Sequence, residues 1–190
     1  ASDVYKRQVF EKAQKMDYAL WGQSSNLKGL NFKIEDAPTF VPMTQNAPTY
    51  VKLNGHDYEV YQNSYKEFEE YMKSIFTNDF LSQDSIEKKF VNYNGKLAVC
   101  DDYDLAQIPY FTGYVGEYYP DDFCSVRYYL KNKTEAQVNF VMIAYYNPNE
   151  TYEEHDEYSY DDMNKVEYEM QLVKVGDVWR VNKYHSPELG

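Results

Sequence analysis

Asn54-Gly55 and Asn94-Gly95 are the points where this chain has the least conformational choice. Each pair sits between alternating runs, in "TYVKLNGHDYEVY" and "FVNYNGKLAVCD". A two-residue hairpin loop of this kind needs positive φ at both central positions, which Gly adopts freely and Asn tolerates. The flanking runs must therefore pair antiparallel, and the two-residue alternation sets which side chains share a face. Whatever lies between these hairpins has to be compatible with both.

What lies between them is helical. In "SYKEFEEYMKSIF", Ser64 and Glu67 stand in capping-box register, and Tyr65, Phe68, Tyr71, Met72, Ile75 and Phe76 form one apolar stripe. A second helical stretch, about 78–89, restarts at Asp84 with Glu87 in the same register. Before the hairpins, Val9, Phe10, Ala13, Met16, Leu20 and Trp21 recur at helical spacing and Gly22 offers a stop, so a helix is predicted over about 5–21. Residues 22–48 carry Pro38, Pro42 and Pro48 among Gly, Ser and Asn and read as an extended connector, with a short strand near Phe32 to Ile34.

From Tyr110 onward the pattern turns to strands. Val138, Phe140, Met142, Ala144 and Tyr146 alternate with Gln137, Asn139, Val141, Ile143 and Tyr145. Val166, Tyr168, Met170 and Leu172 alternate with Glu167, Glu169 and Gln171, which predicts a strand with one wet face. Gly176-Asp177 turns it into "VWRVNKY", and "NPNETYEEHDEYSYDD" joins the preceding strands as an acidic loop. Helices followed by long antiparallel strands predict an α+β fold, with the helices on one face of a curved antiparallel sheet. The expected division is a first segment at 1–8, a helix and connector over 9–48, and one α+β domain over 49–187.

The first segment has its own reading. Asp3-Val4-Tyr5-Lys6-Arg7-Gln8 corresponds to GAT-GTG-TAT-AAG-AGA-CAG, the string of a transposon-end sequencing adapter. Residues 3–8, within the first segment at 1–8, are therefore expected to be translated adapter, with the natural start upstream. A natural helix start is the alternative, since Tyr5, Val9 and Ala13 keep helical spacing.

With 190 residues the chain can bury a proper core. Its net charge of −12 argues against nucleic acid or an anionic membrane as partner, because phosphates need cations to displace their counterions. A basic partner is compatible with that charge. The 22 tyrosines serve equally as rings over a thin core or as contact residues. No run is long enough to span a membrane. Cys100 and Cys124 lack metal-ligand spacing and read either as a disulfide of an exported protein or as two small buried hydrophobes.

Catalytic chemistry is not signalled. His56, His155 and His185 fall on a turn, an acidic loop and the C-terminal tail, and no Ser or Cys has a nucleophile context. Asp101, Asp102 and Asp104 lack the Gly and the distal Glu of a calcium loop, so no metal and no cofactor are expected. Two non-catalytic sites are candidates. Glu153, Glu154, Asp156, Glu157 and Tyr158 could dock a basic partner electrostatically, or could be a solvated face. Arg127, which alternation places with Phe123, Ser125 and Tyr129, could fork onto a carboxylate if that face is concave, with Tyr145 similarly placed. If the face is convex, these residues are simply solvated.

Three stretches taken together, "NGHDYEVYQNSYKEFEEYMKSIFTNDF", "FVNYNGKLAV" and "YEMQLVKVGDVWRV", resemble a known group. They look like the nuclear-transport-factor-two-like (cystatin-like) proteins exported by Gram-positive bacteria, and among these the IseA-type inhibitors of cell-wall DL-endopeptidases. "YALWG" followed by a polar connector is similar to lipoprotein-like members. The resemblance rests on the framework positions Asn54, Gly55, Tyr58, Asn94, Gly95, Lys96, Leu97 and Trp179. It implies a cone-shaped fold and an extracellular or cell-surface protein that binds a basic cell-wall hydrolase without catalysis, with a lipid anchor upstream of residue 1. The stretch "CDDYDLAQIPYF" departs from the inhibitor pattern by lacking its Gly-Ser step. The alternative is a small-molecule-binding or enzymatic protein using the cavity of the cone, since one architecture hosts several functions.

Overall fold

The computed structural model describes residues 2–20, 47–101, 123–146 and 164–185. Its elements are α1 (Ser2–Leu20), β1 (Thr49–Leu53), β2 (His56–Ser64), α2 (Tyr65–Ile75), α3 (Asn78–Leu81) and α4 (Asp84–Lys89), then β3 (Phe90–Tyr93), β4 (Lys96–Cys100), β5 (Phe123–Lys133), β6 (Gln137–Tyr146), β7 (Asn164–Val175) and β8 (Val178–Lys183). The class is α+β with antiparallel strand pairing. The strands form two four-stranded sheets, ordered β1-β2-β4-β3 and β5-β6-β7-β8, where the alternation predicted one curved sheet.

Both Asn-Gly turns form as the chemistry requires. Asn54 and Gly55 have φ of 52° and 82°, and Asn94 and Gly95 have 50° and 89°. The second turn is held further by Asn92, whose Oδ1 accepts from the Gly95 N–H at 2.7 Å. The Gly95 carbonyl then accepts from Tyr65 N at 3.0 Å, which ties this hairpin to the start of α2.

Helix α2 is capped by Ser64, whose hydroxyl accepts from Glu67 N at 3.4 Å, and it buries Phe68, Met72 and Ile75. The stretch after it is two short helices. Thr77 caps α3 by accepting from Phe80 N at 3.1 Å, a cap that the Asp84 register did not suggest. Gln83, not Asp84, stands at the N-cap of α4 and makes no side-chain cap bond there. Its amide instead donates to the Phe80 carbonyl at 2.8 Å, satisfying an end group of α3.

One hydrophobic cluster joins all the layers. It takes Val9, Ala13 and Met16 from α1 and the α2 stripe, with Tyr61, Leu97 and Val99 from the first sheet and Met142, Met170, Leu172, Trp179 and Val181 from the second. Phe10 meets Phe140 edge to face at 5.5 Å, so α1 lies on the apolar side of the second sheet. Core burial along α1 starts at Val9; before it, Val4 and Tyr5 are more than half exposed, and Lys6 lies 4.6 Å from the Trp179 ring centre. A parallel bridge between Phe76 and Val181, with Thr77 N donating to the Val181 carbonyl at 3.0 Å, locks the end of α2 to β8.

The first sheet is apolar on its other side too, where Tyr58, Val60, Ala98 and Cys100 form a second buried cluster. The second sheet differs: its face away from the helices is polar.

Candidate functional site

Register builds that polar face. Asn139 pairs with Gln171, Val141 with Glu169, Ile143 with Glu167 and Tyr145 with Lys165, so these residues share the side opposite Met142 and Met170. On β5, Arg127 pairs with Ile143, Tyr129 with Val141 and Asn132 with Asn139. Arg127, Tyr129 and Tyr145 therefore hold positions on the outer face by register. Tyr129 is 42% exposed; the side chains of Arg127 and Tyr145 lie outside the described residues. Phe123 does not belong with them, because a register shift between Phe123 and Ser125 breaks the alternation and pairs Phe123 with Tyr146.

At one end of this face the amide side chains form a continuous chain across all four strands. Thr77 Oγ1 donates to Asn182 Oδ1 at 2.6 Å, and Asn182 Nδ2 donates in turn to Gln171 Oε1. Gln171 Nε2 donates to Asn139 Oδ1 at 2.8 Å, and Asn139 Nδ2 donates to Asn132 Oδ1 at 2.7 Å. Gln137 Nε2 adds a second bond to Asn139 Oδ1 at 3.0 Å. Asn182 can join because it falls in the β7–β8 register shift, between the Gln171–Lys183 and Leu172–Val181 pairs. A bulged residue is re-aimed off the regular alternation. Every donor in the chain points the same way, from the cap of α3 toward β5.

Next to this ladder, Glu169 sits between Lys183 at 3.2 Å and Lys131 at 3.9 Å. The hydrogen bond from Lys183, then the charges of Lys183 and Lys131, hold the Glu169 carboxyl below its ordinary range, so it is ionised at neutral pH. A groove of about 170 Å³ lies here, lined by Lys131, Asn132, Asn139 and Glu169 among others. On the other side of the Glu169–Lys183 pair a larger cleft of about 370 Å³ opens where β8 ends. Phe80, Tyr168, Tyr184 and His185 give it aromatic walls. The His185 ring stacks on Tyr168 with centroids 3.5 Å apart, and burial pushes the Tyr168 hydroxyl pKa up.

Charge is segregated on this sheet. Its strands and two hairpin turns, residues 123–146 and 164–183, hold seven basic and four acidic side chains, a local balance of +3 in a chain of −12. The net negative charge of the chain is therefore not carried by these strands and turns.

The acidic cluster Glu153, Glu154, Asp156, Glu157 and Tyr158 lies outside the described residues, as do His155, Asp102, Asp104, the segment 32–34 and the side chain of Cys124. Cys100 is buried in the first sheet. Among the described residues no group of three or more His, Cys, Asp or Glu could hold a metal ion, and no helix is long and apolar enough to cross a membrane. Sequence reasoning found the wet strand but missed the ladder. The run of Asn132, Gln137, Asn139, Gln171 and Asn182 was its only visible trace, and their joining depends on register across four strands. No protein-family model and no curated protein matches this chain.

Proposed function

We propose that this chain is a non-enzymatic, extracytoplasmic binding module that acts through its surface, as an inhibitor of peptidoglycan DL-endopeptidases would. One observation carries the reading: the helix-facing side of the second sheet is filled. Met142, Met170 and Leu172 are buried against α1 and α2, which leaves recognition chemistry to the outer face and the β5 edge. Tyr129 is 42% exposed on the outer face, and along the β5 edge Tyr128 and Leu130, which pair with Met142 and Phe140 on the other side, are 43% and 59% exposed. Exposed aromatic and aliphatic side chains beside fixed polar groups make the kind of patch a protein partner covers. The filled interior also argues against a ligand held inside a cone. The resemblance to cystatin-like exported proteins supplies the compartment and the hydrolase as partner, with the cone-shaped single domain as the fold proposed.

The test is a pull-down of basic cell-wall hydrolases on the immobilised chain, paired with a peptidoglycan-release assay. A falling hydrolysis rate as the chain is added supports the inhibitor reading. An unchanged rate at saturating protein removes it.

A further inference from the structure

From the outer face of the second sheet we infer a binding groove for a neutral, hydroxyl-rich ligand, an oligosaccharide, seated beside Glu169 and Asn132. This deepens the binding-module reading and rests on that face being a recognition surface, but not on hydrolase inhibition.

The ladder gives the groove a defined polarity. Each amide donates toward β5, so the sequence of bonds begins at Thr77 and ends at Asn132. Aligned hydrogen bonds polarise one another, which strengthens the donor at the end of the chain. That donor is Asn132 Nδ2, which finds no acceptor among the described residues and sits at the exposed rim of the groove. The same groove is lined by the opposite function. Glu169 is an ionised acceptor, 66% exposed at its side chain and held in place by two lysines.

A strong donor and a strong acceptor facing one shallow groove suit a ligand whose own groups do both. A sugar hydroxyl accepts from Asn132 while its neighbour donates to Glu169. An oxyanion is the competing ligand, given the basic balance of the sheet. It would have to sit against the ionised Glu169 carboxylate, with which both lysines already pair, whereas a hydroxyl can use that carboxylate as its acceptor. The aromatic cleft of Phe80, Tyr168, Tyr184 and His185 is separate from this groove, because Tyr168 pairs with Met142 and belongs to the helix-facing side. The four strands span about 14 Å at roughly 4.8 Å per strand pair, a length suited to several linked rings.

The whole chain, labelled with 15N, should be titrated separately with chitotetraose, cellotetraose, maltotetraose and inorganic phosphate, each to about 10 mM, ten times a weak 1 mM dissociation constant. The expected result is saturable shifts of the Asn132, Asn139 and Glu169 amides with at least one tetrasaccharide. Glu169→Gln and Asn132→Ala should each weaken that binding about tenfold, the loss of a charge-assisted and a polarised hydrogen bond respectively. Lys66→Ala, on the exposed side of α2, should leave it unchanged. Thermal melts of the variants report folding separately, since both groove positions are exposed. Shifts with phosphate alone, shifts that map away from the groove, or no saturation with any of the three sugars would overturn the inference. Silent sugar titrations with hydrolase inhibition intact would leave the inhibitor reading standing, and sugar binding without inhibition would do the reverse.

Discussion

The buried ammonium of Lys89 should destabilise the fold, and replacing it should make the protein more stable. It ends α4 and its side chain is fully buried, with its ammonium 5.9 Å from the Phe90 ring centre. Burial drives its pKa down from 10.5 to about 7, while the neighbouring Cys100 acts the other way. At about 1.4 kcal/mol per tenfold change in proton affinity, that drop amounts to ~5 kcal/mol against the ammonium. The unfolded chain keeps the ordinary value, so between pH 7 and 10.5 it binds more protons than the folded one. The cost is therefore present in full below pH 7 and fades as pH rises toward 10.5. Lys89→Met keeps the length of the stem and removes the charge. Part of the gain is offset by contacts the ammonium makes, so a net stabilisation of about 1–4 kcal/mol is expected near pH 6. With a urea slope of about 1–3 kcal/mol/M, that moves the midpoint up by roughly 1 M. The buried Trp179 supplies the fluorescence signal. A midpoint at pH 6 that stays put or falls would refute the reasoning. So would a gain as large near pH 10 as at pH 6.

Other expectations follow from single groups. Thr77→Ala removes both the cap of α3 and the first donor of the amide ladder, and calorimetry should show a loss of about 1–2 kcal/mol; an unchanged melting temperature would count against the cap. Gly55→Ala and Gly95→Ala put a Cβ at φ of 82° and 89° and should each cost about 1 kcal/mol in urea melts, although neither Cβ would meet a neighbour within 4 Å. Met72→Ala opens a cavity where α2 meets the core and should cost about 2–5 kcal/mol; a loss under about 1 kcal/mol would mean that α2 does not seal the core there.

Much of the local structure could be read before any coordinates. The Asn-Gly turns, the Ser64 cap and the Phe68–Met72–Ile75 stripe depend on residues within a few positions of one another, so backbone sterics and side-chain spacing decide them alone. The same holds for the wet face of β7, because alternation along one strand needs no partner to be seen. The N-cap of α4 went the other way. Asp84 had the better capping chemistry, but Gln83 occupies the cap while its amide satisfies the Phe80 carbonyl.

What tertiary structure alone decided is how strands meet. Nothing in the alternation distinguishes one curved sheet from two, because that depends on which strand edges find each other across long separations. The bulge at Phe123–Ser125 reassigns a face, and the β7–β8 register shift brings Asn182 into line with Gln171. The amide ladder and the Glu169 groove exist only through these registers. Hydrogen bonding between strands and burial of the shared core set them, and neither force is local in sequence.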